Sequence, residues 1–201
     1  MDQRSAWESF YHSNSRPWRG MSKIDGMPFA EGSRILELGC GNGKTASALT
    51  EMGYSVTGID FSESAVKMCQ DIGIDAEFVC SSTDKLPFED DSFDGAVAFH
   101  VLEHLSSGEL KDTVSELIRT VRKGGHILVR VFSSGDMRSE KGERVDDSTV
   151  IRGNGILYHY YTEEELTEAF SPMLCLSITT VEEKTRFGTV RSRIHAEFVN
   201  P

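Results

Sequence analysis

The sequence predicts an α/β fold built on a doubly wound, mostly parallel seven-stranded sheet with an antiparallel hairpin at its C-terminal edge. From Arg34 onward, short β-rich apolar runs alternate with longer runs of helical period, the pattern of parallel strands joined by crossover helices. A loop with glycine at alternate positions follows the first of those strands. Two alternating runs end the chain, Leu174–Val181 and Arg191–Val199, separated by charged residues and Gly188, which suits antiparallel pairing at a sheet edge.

The elements follow in order. The residues before Ile24 read as a helix broken at Pro17. Strands are expected at Arg34–Leu38, Ser55–Asp60, Ala76–Cys80, Phe93–Phe99 and Gly125–Phe132, and helices at Lys44–Met52, Ser62–Ile72 and Glu109–Val121, from the switch between period 2 and period 3.6. Beyond the fifth strand, Ser133–Gly155 is polar and Gly-rich and too long for an ordinary connector, which marks 133–157 as a candidate lid or binding loop. A further helix is expected to start at Thr162, whose hydroxyl caps it while Glu165 completes a capping box. A length of 201 residues suits one domain over 1–201. Within it, 1–30 forms a helical segment and candidate cover on the acceptor side, with Trp7, Tyr11, Trp18 and Arg19 available to pack or pair an acceptor.

With 38% hydrophobic and 26% charged residues the composition is that of a soluble globular protein, and no apolar run approaches the ~18–20 residues that span a bilayer. Met1-Asp2-Gln3-Arg4-Ser5 leads into polar sequence rather than a secretory h-region, so a cytoplasmic location is expected. Cys40, Cys69, Cys80 and Cys175 show no CxxC spacing, against zinc-finger and disulfide frameworks. A net charge of −11 repels phosphate, so neither nucleic acid nor an anionic membrane is an expected partner. Oligomeric state is not legible in the sequence.

The segment Ile35-Leu36-Glu37-Leu38-Gly39-Cys40-Gly41-Asn42-Gly43 is an apolar strand running into a glycine loop before a helix, an arrangement that brings backbone close to a ligand. A Walker phosphate loop fails, because Leu38 stands where its first glycine belongs. A dinucleotide fingerprint fits Gly41-Asn42-Gly43-Lys44-Thr45-Ala46, with Asp60 ending the next strand as a ribose carboxylate. Taken alone, the loop leaves a methyltransferase and an NAD-type oxidoreductase both open.

Five segments resemble the class I S-adenosylmethionine-dependent methyltransferases: Glu37-Leu38-Gly39-Cys40-Gly41-Asn42-Gly43, Gly58-Ile59-Asp60-Phe61-Ser62, Leu86-Pro87-Phe88-Glu89-Asp90-Asp91-Ser92-Phe93-Asp94, Val101-Leu102-Glu103-His104-Leu105 and Val121-Arg122-Lys123-Gly124-Gly125. They occur in family order over about residues 33–132. The resemblance, to the small-molecule type of that family, implies a Rossmann-like methyltransferase fold. It implies S-adenosylmethionine as cofactor, S-adenosylhomocysteine as product, and in-line methyl transfer to a small-molecule acceptor. Asp60 would accept the ribose hydroxyls, Gly39, Cys40, Gly41, Asn42 and Gly43 would pass under the methionine and ribose, and Glu37 would orient the loop or meet the ammonium. Phe61 and Ser62 would flank the adenine, and Phe99 and His100 would lie beside the cofactor at the end of the fourth strand. Where the family places an aspartate toward the adenine amino group this chain has Ser82, so Ser82, Thr83 and Asp84 are assigned as a group. A non-catalytic S-adenosylmethionine-binding module is the remaining alternative.

His100-Val101-Leu102-Glu103-His104 also matches H-x-x-E-H, a zinc motif when it lies on a helix. Here it follows directly on a strand end, and no metal is expected. No catalytic residue is assigned. If the acceptor must lose a proton, His100, Glu103, Tyr158, His159, Tyr160 and Tyr161 are the candidates, at a strand end or beside the polar loop.

Overall fold

The computed structural model describes residues 2–14, 17, 24 and 26–201; Trp18 and Arg19 lie outside the described residues. Helix α1 (Gln3–Ser13) opens on Asp2, whose carboxylate accepts the Arg4 amide, and buries Ala6, Trp7 and Tyr11 on one stripe. Then come β1 (Arg34–Leu38), α2 (Lys44–Glu51), β2 (Ser55–Asp60) and α3 (Glu63–Ile72). The Ser62 hydroxyl caps α3 by accepting the Ala65 amide, and Gly73 ends it at φ 75°. Strands β3 (Glu77–Cys80) and β4 (Phe93–Phe99) lead through a 3₁₀ turn, Leu102–His104, into α4 (Ser107–Thr120). A reciprocal capping box between Ser106 and Glu109 sets the start of α4. The chain continues through β5 (Val121–Phe132), β6 (Glu143–Arg144), β7 (Thr149–Ile151), β8 (Leu157–His159), α5 (Glu163–Ala169), β9 (Leu174–Lys184) and β10 (Val190–Val199).

The main sheet has the order β3-β2-β1-β4-β5-β10-β9. The first five strands are parallel, and β10 runs antiparallel to both β5 and β9. The expected doubly wound sheet and its C-terminal edge hairpin are therefore both present. Alternation along the strands divides the core between the two faces. Leu36, Leu38, Ala96, Ala98, Val129 and Val131 turn to the side covered by α4 and α5, while Ile35, Val56 and Val97 turn to α2 and α3. Each fully buried Leu or Ile on these faces contributes about 1.5–3 kcal/mol. Because β1 leads outward to β2 on one side and pairs β4 on the other, the carboxyl ends of β1 and β4 flank the switch point where such sheets bind ligands.

Three expectations are corrected. Residues 133–157 are not an irregular loop: they hold most of a second antiparallel sheet of order β6-β7-β8. The β-branched run Thr149-Val150-Ile151 pairs with Leu157-Tyr158-His159, a strand signal hidden in the sequence by the surrounding glycines. Thr162 does cap α5, accepting the Glu165 amide at 3.2 Å, but Glu165 closes no box because its carboxylate meets His159 Nε2 at 2.7 Å. Strand β5 starts at Val121, directly after α4, rather than at Gly125. Among the described residues no helix is long and apolar enough to cross a membrane.

Gly43, at φ 73°, forms the N-cap of α2, and a Cβ there would sit 2.3 Å from Ile74 Cδ1 and 3.1 Å from Cys69 Sγ. Left-handed backbone and close approach to α3 both demand glycine. Gly43→Ala is expected to lower stability by about 1–3 kcal/mol, read as a lower urea midpoint at unchanged m-value.

Candidate cofactor and acceptor site

The β1–α2 loop is shaped by its glycines, with Gly39 at φ 67° and Gly41 at φ 53°. A Cβ on Gly39 would lie 2.6 Å from Val101 Cγ2, so the loop rests against the chain leaving β4 and leaves no room for a side chain. The Asp60 carboxylate holds the loop from the next strand: Oδ2 accepts the Gly41 amide and Oδ1 the Ser62 amide, both at 3.0 Å. A carboxylate offers about four acceptor positions, so these two bonds leave capacity for ligand hydroxyls. Burial pushes the Asp60 carboxyl up to about 6 against the pull of those two amides, and Glu8 adds to the rise.

Glu37, on β1 beneath the loop, is 3% exposed. Burial, with Cys69 and Asp60 nearby, raises its carboxyl well above the usual range, opposed by hydrogen bonds from the Ala46 amide and the Thr45 side chain. Its Oε2 is buried with no hydrogen-bond partner among the described residues. Glu37 thus anchors the first turn of α2 and keeps one acceptor spare. Cys40 is buried beside Cys69, and the hydrogen bond between the thiols together with burial holds Cys40 protonated. Asn42 is half-buried at the crown of the turn.

The adenine-side assignments separate. Phe61 is half-buried after β2, with the Arg4 guanidinium 6.0 Å from its ring centre. Ser62 is fully buried, its hydroxyl donating to Glu8 Oε2 at 2.6 Å. Ser82 and Asp84 are half-buried in the loop after β3. Thr83 is corrected: its hydroxyl hydrogen-bonds Thr113 of α4 at 2.8 Å in the buried interior, so it braces the loop instead of facing a ligand.

At the end of β4 the Phe99 ring lies 4.2 Å from the Arg130 guanidinium. His100 has φ 59°, a left-handed conformation uncommon for a residue with a Cβ. Its Nδ1 lies 3.0 Å from Oε1 of the fully buried Glu103, and its ring stacks on Phe132 at 4.6 Å. The Glu103 carboxylate thereby fixes the orientation of the imidazole through Nδ1. His104 instead donates from Nδ1 to the Leu157 carbonyl at 2.7 Å, and burial lowers its pKa. The two histidines of the H-x-x-E-H string therefore serve different partners.

Other candidate bases are held structurally. His159 engages Thr149 through Nδ1 and Glu165 through Nε2. The buried Tyr160 donates to the Arg138 carbonyl and accepts from Arg152, and Tyr161 donates to the Leu102 carbonyl. With these bonds made, His159, Tyr160 and Tyr161 are corrected from proton acceptors to supports. Tyr158 is half-buried, its ring 4.0 Å from the Arg152 guanidinium and 4.7 Å from the His104 ring.

Sequence reasoning missed the way α1 is fastened across this end of the sheet. Glu8 accepts from the Ser62 and Ser64 hydroxyls, Gln3 donates to the Gly155 carbonyl and accepts the Leu157 amide, and Trp7 lies edge-on to His104 at 4.8 Å. It also missed Arg138, Arg152 and Arg191, which gather around Phe132 and its neighbours. No short motif links them, since they come from three separate stretches.

Residues 36–129 match the family described as a methyltransferase domain. The chain is 30% identical over 195 residues to the tRNA N(3)-methylcytidine methyltransferase of Drosophila melanogaster, covering 82% of this chain and 59% of that protein. Among solved structures, a SAM-dependent methyltransferase of Methanosarcina mazei superposes with a TM-score of 0.77 at 23% identity, covering 88% of this chain and 99% of that one. The 1,6-didemethyltoxoflavin-N1-methyltransferase of Burkholderia thailandensis, solved with S-adenosylhomocysteine, gives a TM-score of 0.64 at 20% identity, covering 84% and 72%. The chain thus spans less than two thirds of the Drosophila relative. That relative acts on tRNA, which overturns the expectation of a small-molecule acceptor and no nucleic acid. The expectation rested on net charge, which averages over the whole surface and does not report the local field at a cleft. Residues 36–129 match a methyltransferase domain, and the chain adopts the fold of the Methanosarcina mazei structure.

Proposed function

We propose that this chain transfers the methyl group of S-adenosylmethionine to a ring nitrogen of a cytidine in tRNA. The observation that carries the cofactor half is Asp60, a buried carboxylate at the end of β2 fixed by the Gly41 and Ser62 amides beside the glycine loop. The match over residues 36–129 favours this reading over the dinucleotide one, which the loop alone left open. The acceptor half draws on the tRNA cytidine methyltransferase among its relatives.

The residues fit the cofactor. Asp60 supplies acceptors to ribose hydroxyls, the unpartnered Glu37 Oε2 suits an ammonium whose charge would favour the ionised carboxyl that burial disfavours, and Gly39 to Gly43 let the main chain approach. S-adenosylmethionine supplies an electrophilic methyl on a sulfonium with a neutral leaving group, so the chain has mainly to orient the reactants and exclude water. The lone pair of a cytidine ring nitrogen is free to attack without losing a proton, and no general base is required. His100, braced by Glu103, serves in this scheme to position the base.

The Asp60 carboxyl, titrating at about 6, must be ionised to accept from ribose. Affinity for S-adenosylhomocysteine, measured by calorimetry, is expected to fall about tenfold from pH 7 to pH 5, and Asp60→Asn should bind weakly at both values. An affinity independent of pH, or an unchanged variant, would exclude this role. Raised above its unfolded value of about 3.9, the same carboxyl contributes stability at low pH that is lost as pH rises through 6. Relative to Asp60→Asn, wild-type unfolding free energy should therefore drop by about 1 kcal/mol from pH 5 to pH 7. Incubation with tritiated S-adenosylmethionine and tRNA should yield labelled 3-methylcytidine after nucleoside digestion. Cofactor binding with no label in RNA would refute the acceptor.

A further inference from the structure

The chain carries a net charge of −11, yet arginines converge at the carboxyl end of β5. The guanidinium of Arg138 lies 4.7 Å and that of Arg191 5.9 Å from the centre of the Phe132 ring. Arg152 stands 4.0 Å over Tyr158 and donates to the Tyr160 hydroxyl at 2.7 Å, and those two rings lie 6.5 Å and 6.1 Å from Phe132. The carboxylate serving the group is Asp136, which is buried, 3.2 Å from Arg138 Nε and 3.5 Å from Arg191 Nε, with the Ser192 amide on its Oδ2. Arg193 adds another guanidinium next to Arg191, paired at 3.5 Å with the exposed Glu183. Positive charge therefore exceeds negative within this patch, against the sign of the whole molecule.

Buried donors mark what the patch lacks within the chain. Arg138 Nη2 and Arg152 Nε are buried with no hydrogen-bond partner among the described residues, as is Arg191 Nε apart from its 3.5 Å ion pair with Asp136. Leaving buried charged donors unmade is costly, and planar guanidinium groups are matched in geometry by a phosphate. Burial, with Arg138 and Arg193 alongside, pulls the Arg191 pKa down, the behaviour of cations crowded without enough counter-charge. The patch is also placed for the reaction, because the Phe132 ring it surrounds stacks on His100 at 4.6 Å, the residue that follows β4 beside the glycine loop.

We infer that Arg138, Arg152 and Arg191 form a phosphate-binding subsite that holds the backbone phosphate next to the acceptor base of an RNA strand. The inference rests on the RNA reading above and gives it a local anchor: one phosphate held by guanidinium groups while the adjoining base reaches His100. Its specificity is for charge and spacing rather than for base identity.

The test uses the full chain saturated with S-adenosylhomocysteine. Binding of a fluorescein-labelled cytidine-containing oligoribonucleotide is followed by anisotropy, beside the same sequence with neutral methylphosphonate linkages. Cytidine 5′-monophosphate and cytidine are compared by calorimetry. Arg152→Gln and Arg191→Gln are the variants; Arg138 is spared because it hydrogen-bonds buried Asp136 at 3.2 Å, whereas Arg191 only pairs with it at 3.5 Å. Expected are binding of the phosphodiester strand at least about tenfold tighter than the neutral strand, a loss of about tenfold in each variant and a log-affinity against log-salt slope shallower by about 1. S-adenosylhomocysteine affinity should be unchanged, which certifies the fold. Equal binding of charged and neutral strands, or variants indistinguishable from wild type, overturns the subsite while leaving methyl transfer to RNA intact. Arginine-dependent binding of cytidine 5′-monophosphate with none of the strand keeps the phosphate subsite and refutes the RNA reading instead.

Discussion

The Asp60 carboxylate is the point at which two chain turns become one site. Its oxygens take the amides of Gly41 and Ser62, so the loop leaving β1 and the loop leaving β2 are fixed to the same group. That arrangement is possible only because β1 and β2 are parallel and in register, with Leu38 opposite Ile59, which brings both carboxyl ends to the same level. Burying an ionisable group there costs stability, seen in the carboxyl being pushed up to about 6. The cost is a common signature of a group kept for binding rather than for folding.

Around this point the chain supplies two kinds of support. Beneath it, Glu37 ties β1 to the start of α2 through Thr45 and Ala46, and Cys69 of α3 donates to the Gly41 carbonyl at 3.3 Å, so the loop is held from both neighbouring helices. Across it, α1 is fastened to α3 by Glu8 and to the turn before β8 by Gln3. The small β6-β7-β8 sheet completes the other wall. Thr149 and Glu165 hold His159, and Arg152 and the Arg138 carbonyl hold Tyr160, so the aromatic cluster beside His100 is set by bonds outside the main sheet.

Negative charge overall and a positive local patch coexist because fields in a cleft depend on the nearest groups and the low-dielectric wall behind them. Reading net charge as a veto on nucleic acid was the error that the tRNA methyltransferase relative exposed. The motif string His100 to His104 illustrates a related trap. Its spacing suits zinc on a continuous helix, but the positive φ of His100 turns the chain before the 3₁₀ turn begins, and the side chains diverge.

What the sequence by itself determined was whatever depends on local periodicity and local chemistry. The strands Arg34–Leu38, Ser55–Asp60 and Phe93–Phe99, the cap at Thr162, the edge hairpin, and the glycine loop with Asp60 ending the next strand were all legible, because each signal lies within a few residues of its effect. Tertiary structure alone decided what each side chain meets. It sent Thr83 into Thr113, Glu165 to His159 and Glu8 across to Ser62 and Ser64. It also gathered Arg138, Arg152 and Arg191 around one aromatic cluster. Such encounters are fixed by strand order and by the packing of elements far apart in the chain, and neither is encoded in the spacing of neighbouring residues.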